Sequence, residues 1–542
     1  MATLSKLAEV VARRASLVPI LFTGVVFIAA FFAGITSGVY GTATHMLINL
    51  TGMTAVLSSQ QHGLAGYPYA GFGSVREALE NGGMTRQPDI LAKRQTSFPA
   101  NYYDAKLLNE AIASAKGTET CGSELVYHGG NDQGLVDYIR VSFRLFGANT
   151  YSLYYFYFLV LLLSIVAYLA TFWRDYLACV FLFAGVCAIY PFLSTYLHAD
   201  PELITVATPR FLGTLGLVPL LHLSMQIAVV PGRLTWPALL SLVLQSVVIA
   251  LVITIRSSTI WMVVGIAVLT LGHVPLRQWL ATRRPGAILG FFAGRGLVAL
   301  VYLATSLAIG VVVGAVLTPS SNTALNSHTT WHNIFEGLEF SPDWKPRFAA
   351  LFDNEEDDGI PFTAAKKYVE QHGLPFVTQP SIWVASPAVG DEPSIPMPLG
   401  SWKTYDGIVR LAFFEFAAQH PRFVIENFLF YKPLLLVRSL ANYVRLAWLD
   451  IAGLKLVVLL FMIAAMAALA KADADGGPGV SRLLLMTLAL FAVSLAPIFL
   501  AYGTSFLIVD PAVLATIALL LAVFWAFRAG LRALRPARTQ RA

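Results

Sequence analysis

Acidic residues in a polar stretch of the N-terminal third are the first candidates for chemistry in this sequence. Asp132 and Asp137 lie at the start of a predicted helix, and Asp104 lies earlier in the same polar stretch. A carboxylate beside an acceptor hydroxyl can take up its proton and so act as a general base. Asp132 also has a structural interpretation, because an Asp that follows a glycine-rich turn is a good helix N-cap. Both interpretations stay open for Asp132.

Basic residues at the edges of apolar segments form a second group of candidates. A guanidinium group can bind two phosphate oxygens at once, and an ammonium group binds them as a point charge. Such residues also extend to lipid headgroups without any role in catalysis. The pattern predicts a phosphate-binding surface with these members: Arg210, Arg256, Lys432, Arg438 and Arg445.

A short polar segment between two apolar segments, HADPELITVATPRF, concentrates further charges. His198, Asp200 and Glu202 occur there, a few residues before Arg210. Charges packed this close to a membrane edge favour a function in binding. The alternative is that Asp200 and Glu202 only flank a turn at Pro201. We include His198, Asp200 and Glu202 among the predicted substrate-binding residues.

One further spacing is compatible with a metal ion. His328, His332 and Glu336 recur every four residues, so on a helix they would share one face. Imidazole and carboxylate groups at such positions can hold a divalent metal ion. The alternative is three polar residues on a solvated helix face. The sequence leaves a divalent metal ion open and predicts no other cofactor.

Long apolar segments must position all of these residues. The 542 residues are 56% hydrophobic and 13% charged, with a mean hydropathy of +0.66, which is more apolar than a soluble core requires. A bilayer core needs about 20 apolar residues in a helix. We therefore predict an all-α polytopic membrane protein with about ten transmembrane helices. Their predicted starts are Leu17, Leu153, Tyr176, Phe211, Trp236, Ser258, Leu297, Ile451, Leu483 and Pro511.

The Lys and Arg residues of the short loops predict the orientation, because cationic loops stay in the cytoplasm. Lys6, Arg13 and Arg14 place the N-terminus inside, and the basic tail places the C-terminus inside too. We predict a multi-pass membrane protein with two external regions that contain amphipathic helices. The predicted organisation is 1–40 (tail and first transmembrane helix), 41–151 (first external region), 152–317 (transmembrane helices 2 to 7), 318–450 (second external region with a juxtamembrane helix) and 451–542 (transmembrane helices 8 to 10 and a basic tail).

The composition argues against nucleic-acid binding and against sites built from cysteines. The pI near 9.1 comes from basic residues scattered over the predicted cytoplasmic segments, without a clustered stripe, so we predict no nucleic-acid partner. Only three cysteines occur, two of them in an apolar segment, so neither a disulfide framework nor a thiolate metal site is expected.

The segment before the second predicted transmembrane helix carries a family resemblance. An N-terminal span, a large external first loop, and LFG followed by ANT before an aromatic span resemble the GT-C glycosyltransferases, which use polyprenyl-phosphate sugars. HTTWHNIFEGLEF and YDGIVRLAFFEFAAQHPRFVIEN are also similar to bacterial membrane proteins of this type. The resemblance covers about the first 175 residues and the second external region.

This resemblance implies a GT-C-like fold and an enzyme of cell-envelope polysaccharide biosynthesis. The implied reaction moves a hexose or pentose from a polyprenyl-phosphate carrier to a periplasmic glycan or lipid acceptor. In this family an external acid of the first loop is the usual base, often within an acidic pair directly after the first span. This chain has no acid between Tyr40 and Glu77, so the role falls to Asp132 or Asp104, with Asp137 nearby, or to an acid of the second external region.

Two other classes of function stay open. An O-antigen-type glycan polymerase or ligase would share the many spans and the large external loop, but would take a diphosphate-linked glycan. A flippase or transporter for lipid-linked glycans would catalyse no reaction. The apolar segments are almost free of Asp and Glu, which argues against ion-coupled transport and leaves a flippase as the non-enzymatic alternative.

Overall fold

The computed structural model describes the chain in segments that are nearly all helical, as the sequence predicts. The described residues are 16–32, 133–147, 150–194, 209–228, 235–291, 304, 308, 330–356, 359–374, 377–378, 396–397, 402–448, 454–472, 479–500 and 509–534. The β structure among them is a two-residue antiparallel pairing of β1 (Val377–Thr378) with β2 (Pro396–Met397). This pairing includes part of the Pro-rich stretch that the sequence predicts to be loop.

The helices before residue 300 belong to one bundle. They are α1 (Ser16–Phe32), α2 (Gln133–Phe146), α3 (Thr150–Phe172), α4 (Tyr176–Ser194), α5 (Pro209–Leu212), α6 (Leu217–Ala228), α7 (Trp236–Ile255), α8 (Trp261–Val268), α9 (Val274–Thr282) and α10 (Pro285–Phe291). A 3₁₀ turn, Gly213–Gly216, joins α5 to α6, and another, Ser257–Ile260, precedes α8. A π-helical turn, Leu269–His273, continues α8 into α9.

The later helices divide between a second packing unit and the bundle. They are α11 (Thr330–Glu336), α12 (Trp344–Arg347), α13 (Gly359–Gln371), α14 (Trp402–Gln419), α15 (Pro421–Glu426), α16 (Lys432–Trp448), α17 (Leu454–Ala472), α18 (Gly479–Ser494), α19 (Ala496–Leu500) and α20 (Val509–Ala533). A 3₁₀ turn, Ala349–Phe352, follows α12, and a π-helical turn, Asn427–Tyr431, joins α15 to α16.

Among the described residues, five helical stretches are long and apolar enough to cross a membrane, which indicates a membrane protein. These are Tyr151–Phe172, Trp236–Ile255, Ser258–Leu276, Gly479–Leu500 and Val509–Ala533. Shorter apolar helices occupy Ser16–Phe32, Tyr176–Pro191, Gly213–Ile227 and Val457–Ala472. Eight of the ten predicted starts lie within the described helices, and the other two, Leu297 and Ile451, lie outside the described residues. The number of crossings stays a prediction.

Tyrosine hydroxyls tie the bundle helices together. Tyr138 of α2 donates to the carbonyl of Leu153 at 2.7 Å, and Tyr154 of α3 donates to the carbonyl of Phe31 in α1. Tyr168 of α3 donates to the carbonyl of Ala178 in α4 at 2.9 Å. A buried tyrosine can keep its ring in an apolar core only if its hydroxyl finds a partner. These bonds fix α1, α2 and α4 around α3.

A separate core, which we call the aromatic domain, lies within residues 330–426. Phe348 packs against Phe416, Phe423 and Trp344, with ring centroids 4.5 to 6.0 Å apart. Offset and edge-to-face ring pairs at these distances add stability beyond their buried area. This core holds α11 to α15 together.

The helix that follows the aromatic domain joins it to the bundle. Helix α16 packs against α4, α19 and α20 of the bundle. Its other side, continued back through α15, leaves a line of apolar side chains exposed: Ile425, Leu429, Phe430, Leu434 and Val437. An amphipathic helix with this pattern suits a membrane surface, as the sequence predicts for this segment.

Candidate functional site at one end of the helix bundle

A buried carboxylate lies where three bundle helices begin or end. Asp510 is the second residue of α20, and its side chain is 7% exposed. Its Oδ2 accepts a hydrogen bond from the indole Nε1 of Trp261, the first residue of α8, at 3.1 Å. Its Oδ1 has no hydrogen-bond partner within the described part of the chain. A buried carboxylate is costly without compensating charge or donors, so its other neighbours matter. We call this the Asp510 end of the bundle.

Arg256 supplies positive charge at this end. It directly follows α7, adopts an extended backbone and interacts electrostatically with Asp510. Its Nε donates to Ser258 Oγ at 3.0 Å, and the Thr259 hydroxyl donates to the Arg256 carbonyl at 2.6 Å. These two bonds fix the turn between α7 and α8. The guanidinium therefore has a defined position on the carboxylate's side of the bundle.

Gly213 lies in close contact with the side chain of Asp510. A Cβ added at Gly213 would lie 3.1 and 3.2 Å from the two carboxylate oxygens and 3.2 Å from Thr259 Cγ2. A side chain at this position would be in tight contact with the carboxylate, which would have to shift by a few tenths of an ångström. Beside it, the Tyr157 hydroxyl lies 2.7 Å from Thr214 Oγ1. Since the Thr214 proton goes to the carbonyl of Phe211, Tyr157 is the donor in that pair.

The start of α2 is pressed against the backbone just before Arg256. A Cβ on Gly134, the second residue of α2, would lie 2.3 Å from the carbonyl carbon of Thr254 and 2.4 Å from the amide nitrogen of Ile255. Contacts below 3 Å with backbone atoms are not tolerated, so glycine is required for this approach. The start of α2 thus lies beside the Arg256 turn.

Of the predicted binding residues, Arg256 is the one whose described side chain reaches this end. Arg210 lies in α5, which packs against α7 and α20. Asp137 lies in α2, and Arg445 lies in α16. Arg438 is exposed on α16. Outside the described residues lie Asp104, Asp132, His198, Asp200, Glu202 and His328.

Lys432 was predicted to bind phosphate, but its side chain contacts groups inside the protein. It is 3% exposed; its Nζ lies over the Phe428 ring at 4.2 Å and donates to the carbonyl of Phe499 at 3.5 Å. Burial lowers the pKa of Lys432 to about 7, and the nearby Glu336 carboxylate opposes this shift. Lys432 thus links the aromatic domain to α19 of the bundle.

His332 and Glu336 do not form the solvated face that was the alternative to a metal site. Both are buried, at 4% and 5% exposure, because α11 packs into the aromatic core. His332 Nδ1 lies 2.7 Å from the Tyr405 hydroxyl, and its ring packs on Phe362. Within the described segments, no three His, Cys, Asp or Glu side chains converge as a metal ion would require.

The sequence reasoning missed Asp510 and Trp261. The one local signal for Asp510 is its place in LIVDPAV, where an acid and a proline open an otherwise apolar span. An ionisable residue inside an apolar span is expensive and indicates a function or a partner. Trp261 has no comparable signal, because a tryptophan at the start of a span is also typical of a membrane interface.

No known protein family matches this sequence, and no curated protein or solved structure matches it at a significant level.

Proposed function

We propose that this chain is a GT-C-like glycosyltransferase that moves a sugar from a polyprenyl-phosphate carrier to a glycan or lipid acceptor. The positive-inside pattern supports an orientation in which the Asp510 end faces the outside of a bacterial inner membrane. Arg528 and Arg532, near the far end of α20, agree with that orientation. A carrier lipid in the outer leaflet would present its phosphate at the level of the Arg256 turn.

The contact between Gly134 and the Thr254–Ile255 backbone carries this proposal. It holds the start of α2 next to Arg256, and Asp132 is the residue directly before Gln133, the first residue of α2. Covalent geometry limits two residues of chain to about 7 Å. The acid that ranks first as a base and a cation suited to a phosphate leaving group are therefore tied to one place. Displacement of a phosphate by a hydroxyl needs both.

Each group has a role in the proposed reaction. The acceptor oxygen attacks the anomeric carbon and gives its proton to the Asp132 carboxylate, while the bond to the carrier phosphate breaks and its electron pair stays on the phosphate. Arg256 neutralises the charge that develops there. The configuration inverts at the anomeric carbon. Asp510 and Trp261 act behind Arg256, where the buried carboxylate holds the guanidinium at the carrier's phosphate.

The remaining predicted residues extend this arrangement. Arg210 and Arg438 supplement the positive charge, as does Arg445, and the polar segment with His198, Asp200 and Glu202 adds contacts to the sugar. The aromatic domain supplies the acceptor surface. A divalent metal ion is not needed in this scheme, since arginine carries the phosphate charge.

The test is a transfer assay with the full-length protein in lipid nanodiscs. A panel of polyprenyl-phosphate hexoses and pentoses is supplied, and released polyprenyl phosphate is measured by mass spectrometry. We expect release with at least one donor and its loss in Asp132→Asn and Arg256→Gln. Arg347→Gln is the matched control, because Arg347 is exposed in the aromatic domain, where it pairs with the surface residue Asp343 and lies over the Phe348 ring.

Other outcomes assign the alternatives. Transfer only from diphosphate-linked glycans would replace the proposal by an O-antigen-type polymerase or ligase. Lipid translocation without release of any carrier phosphate would indicate a flippase. Full transfer by Asp132→Asn would remove Asp132 from the mechanism, and Asp104→Asn and Asp137→Asn would then be compared with it.

A further inference from the structure

An exposed row of large apolar side chains follows the helices that connect the aromatic domain to the bundle. Its members lie in α15, the π-helical turn and α16, and they are between 48% and 65% exposed. A contiguous apolar patch on a protein surface marks a contact with another protein or with a membrane. We call these residues the apolar stripe: Ile425, Leu429, Phe430, Leu434 and Val437.

A second line on the same helices is buried in two different cores. Phe423 packs in the aromatic core, and Asn427 Nδ2 donates to the carbonyl of Gly337 in the same domain. Leu436 and Leu440 pack against the bundle core. The line is completed by the buried Lys432, so its spacing along the chain is four, five, four and four residues.

The π-helical turn accounts for the single step of five residues. The N–H of Lys432 donates to the carbonyl of Asn427, five residues earlier, whereas a regular α-helix bonds four residues back. One residue rotates an α-helix by about 100°, so a regular helix would turn one half of the buried line away from its core. The extra residue keeps the buried line in register across the junction. It also keeps the apolar stripe continuous, with Leu429 and Phe430 side by side.

The end of a span-length apolar stretch sets the height of the stripe. Helix α19 is the last part of Gly479–Leu500, whose 22 residues form about 33 Å of helix and match the ~30 Å core of a bilayer. The carbonyl of Phe499 in α19 accepts from Lys432 Nζ at 3.5 Å, and its ring lies 6.1 Å from that of Phe428. Leu500 beside it is 53% exposed. The stripe therefore lies at a membrane edge, next to side chains that suit lipid.

The charges around the stripe agree with this position. Residues 425 to 437 include two charged side chains, Glu426 and Lys432. Lys432 is buried, and Glu426 accepts a hydrogen bond from Arg422 Nε at 2.7 Å. Arg438 is exposed directly after the stripe, where a guanidinium can reach lipid phosphates. The stripe itself can thus enter an apolar layer without desolvating an unpaired charge.

We propose that the apolar stripe lies in the membrane interface, where lipid acyl chains cover it and hold the aromatic domain against the bilayer. Lipid is the partner because the stripe continues the exposed side of a span-length stretch. A second copy of this chain, or another protein, would have to displace that lipid. None of the stripe residues has a role in the proposed transfer.

Electron paramagnetic resonance on the full-length protein in phosphatidylcholine nanodiscs tests this. A p-acetylphenylalanine that carries a nitroxide label replaces Phe430 or Val437, so the native cysteines stay unlabelled. Relaxation by dissolved oxygen, which concentrates in lipid, is compared with relaxation by a water-soluble nickel chelate. A label at Leu488, exposed within the Gly479–Leu500 stretch, is the lipid reference, and a label at Lys345, 86% exposed in the aromatic domain, is the water reference.

We expect the labels at Phe430 and Val437 to respond to oxygen as the label at Leu488 does. A response to the nickel chelate equal to that at Lys345 would place the stripe in water and overturn the proposal. Access of neither reagent would mean that protein covers the stripe, which would overturn it too. These measurements keep an uncharged side chain at each labelled stripe position.

A charge placed on the stripe provides a second measurement. Phe430→Glu should release the stripe from lipid and speed the hydrogen–deuterium exchange of α15 and α16 by about tenfold. Leu351→Glu is the matched control, because Leu351 is an exposed apolar residue of the aromatic domain that lies outside the stripe. Exchange in this control should equal that of the wild-type protein. The same exchange rate in both variants would contradict a lipid contact at the stripe.

Discussion

The helix bundle and the aromatic domain treat buried polar groups in opposite ways. In the bundle, Asp510 and His222 each keep one side-chain atom without a partner in the described part of the chain. In the aromatic domain, His332 is bonded to Tyr405, and Asp406 accepts backbone N–H groups from Trp331 and His332 at 2.7 and 3.1 Å. Unsatisfied atoms are available to a ligand or water, whereas satisfied ones hold a fold. Asp510 of the bundle, rather than Asp406 of the aromatic domain, therefore keeps an oxygen atom without a partner among the described residues.

The contrast has exceptions that fit its physical basis. Trp344 Nε1 in the aromatic domain and Asn427 Oδ1 directly after it are buried and have no partner within the described segments. Both residues are held by other contacts: Trp344 stacks on Phe352 at 5.2 Å, and Asn427 Nδ2 donates to the carbonyl of Gly337 at 3.0 Å.

The largest expected effect falls on the stability of the aromatic domain. Phe348→Ala removes a ring that is 3% exposed and contacts four other aromatic rings, so the domain should lose about 3–5 kcal/mol. Hydrogen–deuterium exchange of α14 in the full-length protein measures this loss. Leu351→Ala is the control, since Leu351 is 52% exposed and its loss should cost about 0.5 kcal/mol or less. Equal losses would mean that the domain has no aromatic core of its own.

The next effect tests the bundle side of the comparison. Gly134→Ala places a methyl group where the Thr254 and Ile255 backbones lie, so the start of α2 must move and the bundle should lose about 1–3 kcal/mol. If transfer is the function, it should fall by about 100-fold, because misplacement of about 1 Å has that effect on catalysis. Thermal unfolding measures the loss of stability, and the transfer assay measures the loss of activity.

Gly530→Ala in α20 is the matched control for that variant. A Cβ there meets nothing within 4 Å, so the same change should be neutral or stabilise by up to about 1 kcal/mol. If both glycine variants keep full transfer, the contact at Gly134 has no part in positioning a site.

A smaller loss of stability is expected when the helix-capping carboxylate of Asp406 is removed, and it is compared with removal of the exposed carboxylate of Asp343. Asp406→Ala leaves the first N–H groups of α11 without their acceptor and should cost about 1–2 kcal/mol. Burial raises the pKa of Asp406, and the backbone N–H groups of α11 oppose this shift. Asp343→Ala, which removes only the exposed ion pair with Arg347, should change stability by about 0.5 kcal/mol or less. Chemical unfolding measures the free energy of unfolding of both variants. Equal losses would mean that the Asp406 cap does not stabilise the domain.

The smallest effect concerns the junction of the two regions. The pKa of Lys432 is about 7 when folded and 10.5 for an ordinary lysine, so the unfolded chain binds more protons and stability must rise with pH between these values. Relative to Lys432→Met, the wild-type protein should gain about 1 kcal/mol between pH 7 and pH 8. Melting temperatures over that range test the sign. Parallel curves for the two proteins would mean that Lys432 is not buried in this junction.

Most of the helices could be predicted from the sequence, because apolar length is a local property. The predicted helix after Asp132 starts at Gln133, and the predicted span that begins near Trp236 is helical from Trp236 to Ile255. The Pro-rich stretch that pairs as β2 was predicted to be loop, because its partner lies 19 residues away in the chain. Its pairing depends on a contact that local composition does not encode.

The candidate site was predictable only in part. Arg256 was found because a basic residue at the edge of an apolar segment is visible in the sequence. The solvated alternative for His332 and Glu336 was wrong, because spacing gives a shared face but not what packs on it. Asp510 was missed, because it is recognised as part of a site through its hydrogen bond with Trp261, which is 249 residues away in the sequence.

The sequence by itself determined that this is a helical membrane protein, and it identified the polar segments in which chemistry could occur. Hydropathy and spacing suffice for that, because they act over one helix length. Only the tertiary structure decided that Asp510, Trp261 and Arg256 meet at one end of the bundle, with the start of α2 against them. Glycines at 134 and 213 allow those approaches, and close packing between distant segments cannot be inferred from either segment alone.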